Sequence, residues 1–198
     1  MDSLVQPAPW RRVKWTRAGQ IAALAQAETA LAGLHDAPPQ LAFAMLRADN
    51  PQVALRFIAQ CLPRFDAVRW VHACLTRTGT VAASADPATQ MRTALRSGIA
   101  DWIADPSDKR RRLVFEMAQQ VGFDVPEGVG GLAVFLSGGA LGPPELENGV
   151  ASPPGAFGEA VVGTVHLASL ASGPEHFVDQ LDVMLGIGAA IAEAEEKH

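Results

Sequence analysis

Tyrosine is absent from this 198-residue chain, and aromatic residues make up only 6% of it. A chain poor in Tyr, Ile and Thr has little of the material strands are built from. Cysteine is nearly absent too. The two present, Cys61 and Cys74, sit in no CxxC or Cys/His ligand pattern, which excludes a disulfide framework and gives no support to a zinc site. They lie in apolar segments on either side of Pro63, and the rise from Pro63 to Cys74 in a helix, roughly 16 Å, is too long for a disulfide. Buried free thiols in a reducing compartment are the expectation. No run of about 18 apolar residues occurs, so no membrane span is predicted. Charge is sparse as well, at 19% of residues with a net value of −5, which disfavours a protein whose main task is gripping phosphate backbones.

What is abundant is Ala, Leu and Val, within a hydrophobic share of 48%. Ala and Leu favour helix. A chain of this length buries enough surface to fold without a metal or disulfide staple. Residues 1–15 carry Pro7 and Pro9 and no periodicity, so they read as an extended arm. Residues 16–198 read as a single helical domain. Thr16 is placed to cap a first helix reaching Leu34, and Pro38-Pro39 to open a short one carrying Leu41, Met45 and Leu46. Asn50-Pro51 and Asp86-Pro87 are cap-plus-proline start signals. The first opens a stripe of Val53, Ala54, Phe57, Ile58 and Cys61. After Pro63 a second stripe follows, Ala67, Val68, Val71, Cys74 and Leu75. Beyond Asp86, Met91, Ala94, Leu95, Gly98, Ile99, Trp102 and Ile103 recur at helical spacing.

Ser107 is placed to cap a helix whose inward face is predicted as Leu113, Val114, Met117, Ala118 and Val121. Pro126 opens another, through Leu132, Val134, Phe135 and Leu136. Residues 137–156 are too rich in Gly and Pro to continue a helix and form one long loop. Two last helices follow, marked by Val161, Val165 and Ala168, then by Phe177, Leu181, Met184, Leu185, Gly188 and Ile191. The fold class is all-α, an irregular bundle of eight or nine short to medium helices with one long Gly/Pro-rich loop.

Chemistry is harder to find. Ser137-Gly138-Gly139 lacks the G-x-S-x-G context of a nucleophile elbow, and no Lys accompanies it as a phosphate loop would need. A helix C-cap is the preferred reading. Asp105, Ser107 and Asp108 with Arg110, Arg111 and Arg112 make the densest polar cluster. Its arginines are expected on the solvated face of a helix start, with one pairing to Asp101 or Asp105, because cations there oppose the helix dipole. The histidines form no HExxH or His-rich tract, and the one ExxH spacing, Glu195 to His198, falls in the charged tail; no metal and no cofactor are predicted. Trp10-Arg11-Arg12-Val13-Lys14-Trp15-Thr16-Arg17 mixes rings and cations and is expected to fold back on its own acidic body, docking onto another protein or nucleic acid being the alternatives. Arg11-Arg12 only faintly resembles an export signal, since no uninterrupted apolar stretch follows, so a cytoplasmic location is the default.

Three segments carry a resemblance. They are Leu62-Pro63-Arg64 with Ala67-Val68 and Trp70; Trp102-Ile103-Ala104-Asp105-Pro106-Ser107 with Arg111-Arg112; and Phe135-Leu136-Ser137-Gly138-Gly139-Ala140-Leu141 ahead of Pro143-Pro144. Together they resemble an uncharacterised bacterial family of about this length, often encoded beside type VI secretion genes. The resemblance covers the chain from about residue 36 onward. It implies an accessory or structural role and supplies no catalytic residues. The ligand or partner-binding candidates are Trp102, Asp105, Arg111, Arg112, Ser137, Gly138 and Gly139. The leading expectation is a non-enzymatic interaction protein that meets another protein. An enzyme or small-ligand binder with a pocket near residues 137–156 is the alternative, and nucleic-acid binding through the basic arm is third. Small residues Gly158, Ala160, Gly163 and Ala168 also permit self-association by close helix approach.

Overall fold

In the computed structural model, residues 7–78, 86–142 and 150–195 are described. They contain eight α-helices and no strand. These are α1 (Pro39–Asp49), α2 (Pro51–Cys61), α3 (Arg64–Thr78), α4 (Pro87–Ala104), α5 (Asp108–Val121), α6 (Pro126–Leu136), α7 (Ala156–Leu170) and α8 (Phe177–Glu193). The class expected from periodicity is therefore observed. Among the described residues, no helix is long and apolar enough to cross a membrane.

The start signals work as local chemistry dictates. The Asn50 side chain accepts from the backbone N–H groups of Gln52 and Val53, Asp86 from that of Thr89, and Ser107 from that of Arg110. Each satisfies donors that a helix start leaves without a partner. The stripes of α2 and α3 are buried as predicted, and Cys61 and Cys74 are free, buried thiols within them.

The core is built on α3, which packs against α4, α6, α7 and α8. Its Trp70 is fully buried, and its indole N–H donates to the Met184 carbonyl of α8 at 2.8 Å. Gly188 of α8 faces the same ring, and a β-carbon there would lie 2.8 Å from an indole carbon. Helix α6 uses glycine in the same way. A β-carbon on Gly131 would come within 2.6 Å of Ala118 of α5, and one on Gly128 within 1.7 Å of the Gly122 carbonyl oxygen. These bare positions let α5 and α6 approach closely.

Two expectations are corrected. Residues 16–34 form no α-helix: a single 3-10 turn, Ala18–Gln20, is followed by successive turns. Gln26 adopts a left-handed conformation at φ 51°, and the Ala27 N–H closes back on the Ala22 carbonyl, which ends the first turn. Gly33 makes a second left-handed stop at φ 80°. Ala18, Ile21, Ala22, Ala25, Ala27 and Leu31 are nonetheless buried. Their spacing is that of packed turns, which mimics a helix.

The second correction concerns α5. Leu113, expected inside, is 53% exposed, whereas Arg111, expected in solvent, is 3% exposed. The inward stripe is Arg111, Val114 and Ala118, because the surface it meets is the polar end of α6. Similarly, Met91 and Ala94 of α4 are exposed, and burial is confined to Leu95, Ile99 and Trp102.

Candidate functional site

The last turn of α6 presents carbonyl oxygens with no partner inside the helix, at the negative end of its dipole. Arginines from two other helices meet them. Arg111 donates to the Phe135 carbonyl at 2.5 Å and to that of Ala140 at 3.0 Å. Arg112 donates to the Gly142 carbonyl at 2.9 Å and to Ala140 at 3.3 Å. Arg64, at the start of α3, donates to the carbonyls of Ser137 at 3.2 Å and Leu136 at 3.5 Å. Asp108 accepts from Arg111 at 2.6 and 2.9 Å and from Arg112 at 2.8 Å, which holds both guanidinium planes in place. Hydrogen bonds from Arg112 and then Arg111 hold the Asp108 carboxyl below the usual carboxylate range. The Arg111 guanidinium also lies 4.7 Å from the Phe135 ring centroid, and Phe115 stacks on the same ring at 4.0 Å.

The segment leaving α6 is shaped to this clamp. The Ser137 hydroxyl donates to the Val134 carbonyl at 2.7 Å, which is a helix-ending role. Gly139 takes the left-handed conformation at φ 67°, whereas Gly138 does not and has open space around it. Just beyond, the Leu141 N–H donates to the Val150 carbonyl at 2.8 Å, so the two sides of the long loop are joined at its stem. The loop positions between, Pro143 and Pro144 included, lie outside the described residues, as does His198 of the tail.

The structure thus brings Arg111, Arg112, Ser137, Gly138 and Gly139 together. Asp105 pairs with Arg110 at 3.0 Å, in line with the expected pairing across the turn. Trp102 does not join them and packs on Phe65 of α3, with ring centroids 6.0 Å apart. Sequence reading missed Arg64 as a member. Its signal was present in the Leu62-Pro63-Arg64 motif.

A cleft of about 360 Å³ lies where the far side of the loop returns, with Lys14, Trp15, Gln60, Arg64, Pro154 and Phe157 on its walls. The Lys14 ammonium sits 4.5 Å from the Trp15 ring centroid, and the Arg64 guanidinium 5.7 Å from that of Phe157. Cys61 also borders it, but burial pushes its thiol well above the ordinary value, so the nucleophilic thiolate is suppressed. Among the described residues, no group of three or more His, Cys, Asp or Glu is arranged to hold a metal ion.

The basic arm folds back on the body. Trp10 is buried against Phe43 of α1, Arg12 pairs with Asp66 of α3 at 2.8 Å, and Arg12 N–H donates to the Ala192 carbonyl of α8. Arg11 pairs with Glu195 and Arg17 with Asp36.

The described residues thus form an all-α fold of eight helices, in which the densest polar cluster caps the C-terminal carbonyls of α6 and the loop stem beyond it. The sequence places the chain more closely. The chain belongs to the DUF6931 family of unknown function, whose profile matches residues 41–192. No curated protein and no solved structure gives a match.

Proposed function

We propose that the protein is a non-enzymatic interaction protein that docks another protein through the loop at residues 137–156 and the α5 surface that anchors it. One observation carries this reading: Arg111 and Arg112 fix the loop stem to α5 through the carbonyls of Phe135, Ala140 and Gly142. Beside that anchor, Leu113 is 53% exposed and Val150 66% exposed. A fixed stem lowers the ordering cost of binding, and apolar side chains exposed around it are suited to a protein partner. The resemblance to a family encoded beside type VI secretion genes supports a component of that apparatus as the partner.

The experiment is site-specific photo-crosslinking in the native host, with the photoreactive residue at Leu113 or Val150 and a control at Val178, which is 63% exposed on α8. A discrete adduct from Leu113 and Val150, absent from Val178, is expected, with a secretion component as its second member. Equal labelling from all three positions, or turnover of a small molecule by the purified protein, would overturn the reading.

A second reading is small-ligand binding, favoured by the cleft between the arm and Phe157. Its two cations and two aromatic rings suit an aromatic carboxylate. Calorimetry with benzoate and Lys14→Ala tests it, and an absence of binding removes it.

A further inference from the structure

Charge is unmatched at the cleft where the loop returns. The chain carries a net −5, yet the walls of this cleft hold Lys14 and Arg64 and no carboxylate. Neighbouring cations find counter-charges inside the fold: Arg11 meets Glu195, Arg12 and Arg69 meet Asp66, and Arg17 meets Asp36. Lys14 and Arg64 are both exposed, and neither has a carboxylate within ion-pair distance among the described residues. Their counter-charge is left for a ligand to bring, and complementarity of this kind selects a partner as well as holding it.

Arg64 also keeps one edge of its guanidinium unused. Only Nη1 is engaged, at 3.2 Å from the Ser137 carbonyl oxygen and 3.5 Å from that of Leu136. The Nε and Nη2 N–H groups remain side by side, on the edge that donates two parallel bonds to a carboxylate. Apolar surface accompanies the two cations. Leu24 is 39% exposed, Pro63 and Pro154 are exposed, and Trp15 is half-buried. A complementary ligand joins a carboxylate closely to an apolar group. A polypeptide offers that combination at its C-terminus, where the carboxylate is bonded to the α-carbon that bears the last side chain. The volume of about 360 Å³ is at the small end of ligand pockets and suits a chain end better than a chain passing through.

We propose that this cleft receives the C-terminal residue of the protein partner, and that this residue is apolar. The proposal rests on the reading of residues 137–156 as a docking site and names what the partner brings to it. Pro154 of the returning limb is one wall of the cleft, and Arg64 connects that wall to the loop stem at Leu136 and Ser137. The terminal carboxylate accepts from Arg64 Nε and Nη2 with Lys14 as the second cation, and the last side chain lies on Trp15, Pro63 and Pro154. Capture of a C-terminal carboxylate is a recurring mode of peptide recognition.

Fluorescence anisotropy with short fluorescein-labelled peptides ending in Leu, Phe or Trp tests this, each peptide made as the free acid and as the C-terminal amide and titrated with the full chain at low salt. At least one free acid is expected to bind with a Kd of about 1 mM or tighter, and its amide at least about tenfold more weakly. Lys14→Glu and Arg64→Ala are each expected to weaken binding by about tenfold or more. Lys14 is exposed, so its variant decides the matter even if Arg64→Ala disturbs the end of α6. No binding by any free acid would overturn the proposal, as would amides that bind equally well or indifference to Lys14→Glu. Binding of benzoate without binding of any peptide would give the cleft to a small molecule and overturn it too. Crosslinks from Leu113 and Val150 without peptide binding would keep the loop as the docking site and sink the chain-end assignment alone. Peptide binding that discriminates acid from amide without those crosslinks would support the cleft and count against the loop.

Discussion

Arg111 and Gly139 share one volume: a β-carbon built on Gly139 would lie 2.7 Å from the Arg111 Nη2 nitrogen. The glycine is thus required twice, for its φ of 67° and for the guanidinium beside it. Gly139→Ala is expected to lower stability by about 1–3 kcal/mol. Gly138→Ala, with open space around it, should change it by less than about 0.5 kcal/mol. Urea unfolding of the two variants makes the comparison.

Asp108 ties the same clamp to pH. Its carboxyl is held low by Arg112 and Arg111, so the folded state keeps it ionised more readily than the unfolded chain does. That contribution is fully present above about pH 4 and is lost as pH falls through the depressed folded value. Asp108→Asn should therefore lower the melting temperature near neutrality, and the gap from the wild type should narrow in acid. A gap of constant size between pH 6 and pH 3 would contradict this. The side chain is half exposed, so the effect is expected to be small.

The helix starts were legible because a cap is a local event. Asn50 and Asp86 need only the next three residues to fulfil their role. The inward face of α5 was not legible, since counting apolar residues selects Leu113, and only the end of α6 makes burying Arg111 favourable. Residues 16–34 misled for a related reason: Gln26 and Gly33 interrupt the chain without disturbing the spacing of Ile21, Ala25 and Leu31. Of the candidate site, the sequence supplied nearly all the members but not their work. Nothing in Ser137-Gly138-Gly139 announces that the neighbouring carbonyls meet arginines from α3 and α5.

Asp66 is 2% exposed and receives Arg12 at 2.8 Å and Arg69 at 3.3 Å. Removing the carboxylate takes a buried acceptor away from both Arg12 and Arg69. Asp66→Ala should cost about 3 kcal/mol. It should also release the arm, so that limited proteolysis cuts near residues 11–17 well before the helical body.

The Trp70–Gly188 contact sets the approach of α3 to α8. Gly188→Ala alone should destabilise by about 1–3 kcal/mol, because the indole has no room to withdraw. Trp70→Phe alone loses the hydrogen bond to Met184 along with packing. The double variant should be less destabilised than the sum of the two, since a smaller ring relieves the clash. Strict additivity in chemical denaturation would show that the two residues do not compete for space.

Arg12 holds both Asp66 and the Ala192 carbonyl, and the neighbouring Arg11 meets Glu195, 184 positions away. A ribosome needs roughly ten to forty seconds to cover such a distance. During that interval the arm can reach Phe43 and Asp66 but has no α8 to lean on. The arm is thus translated long before it can be fully seated, and it stays open to chaperones and proteases until α8 emerges.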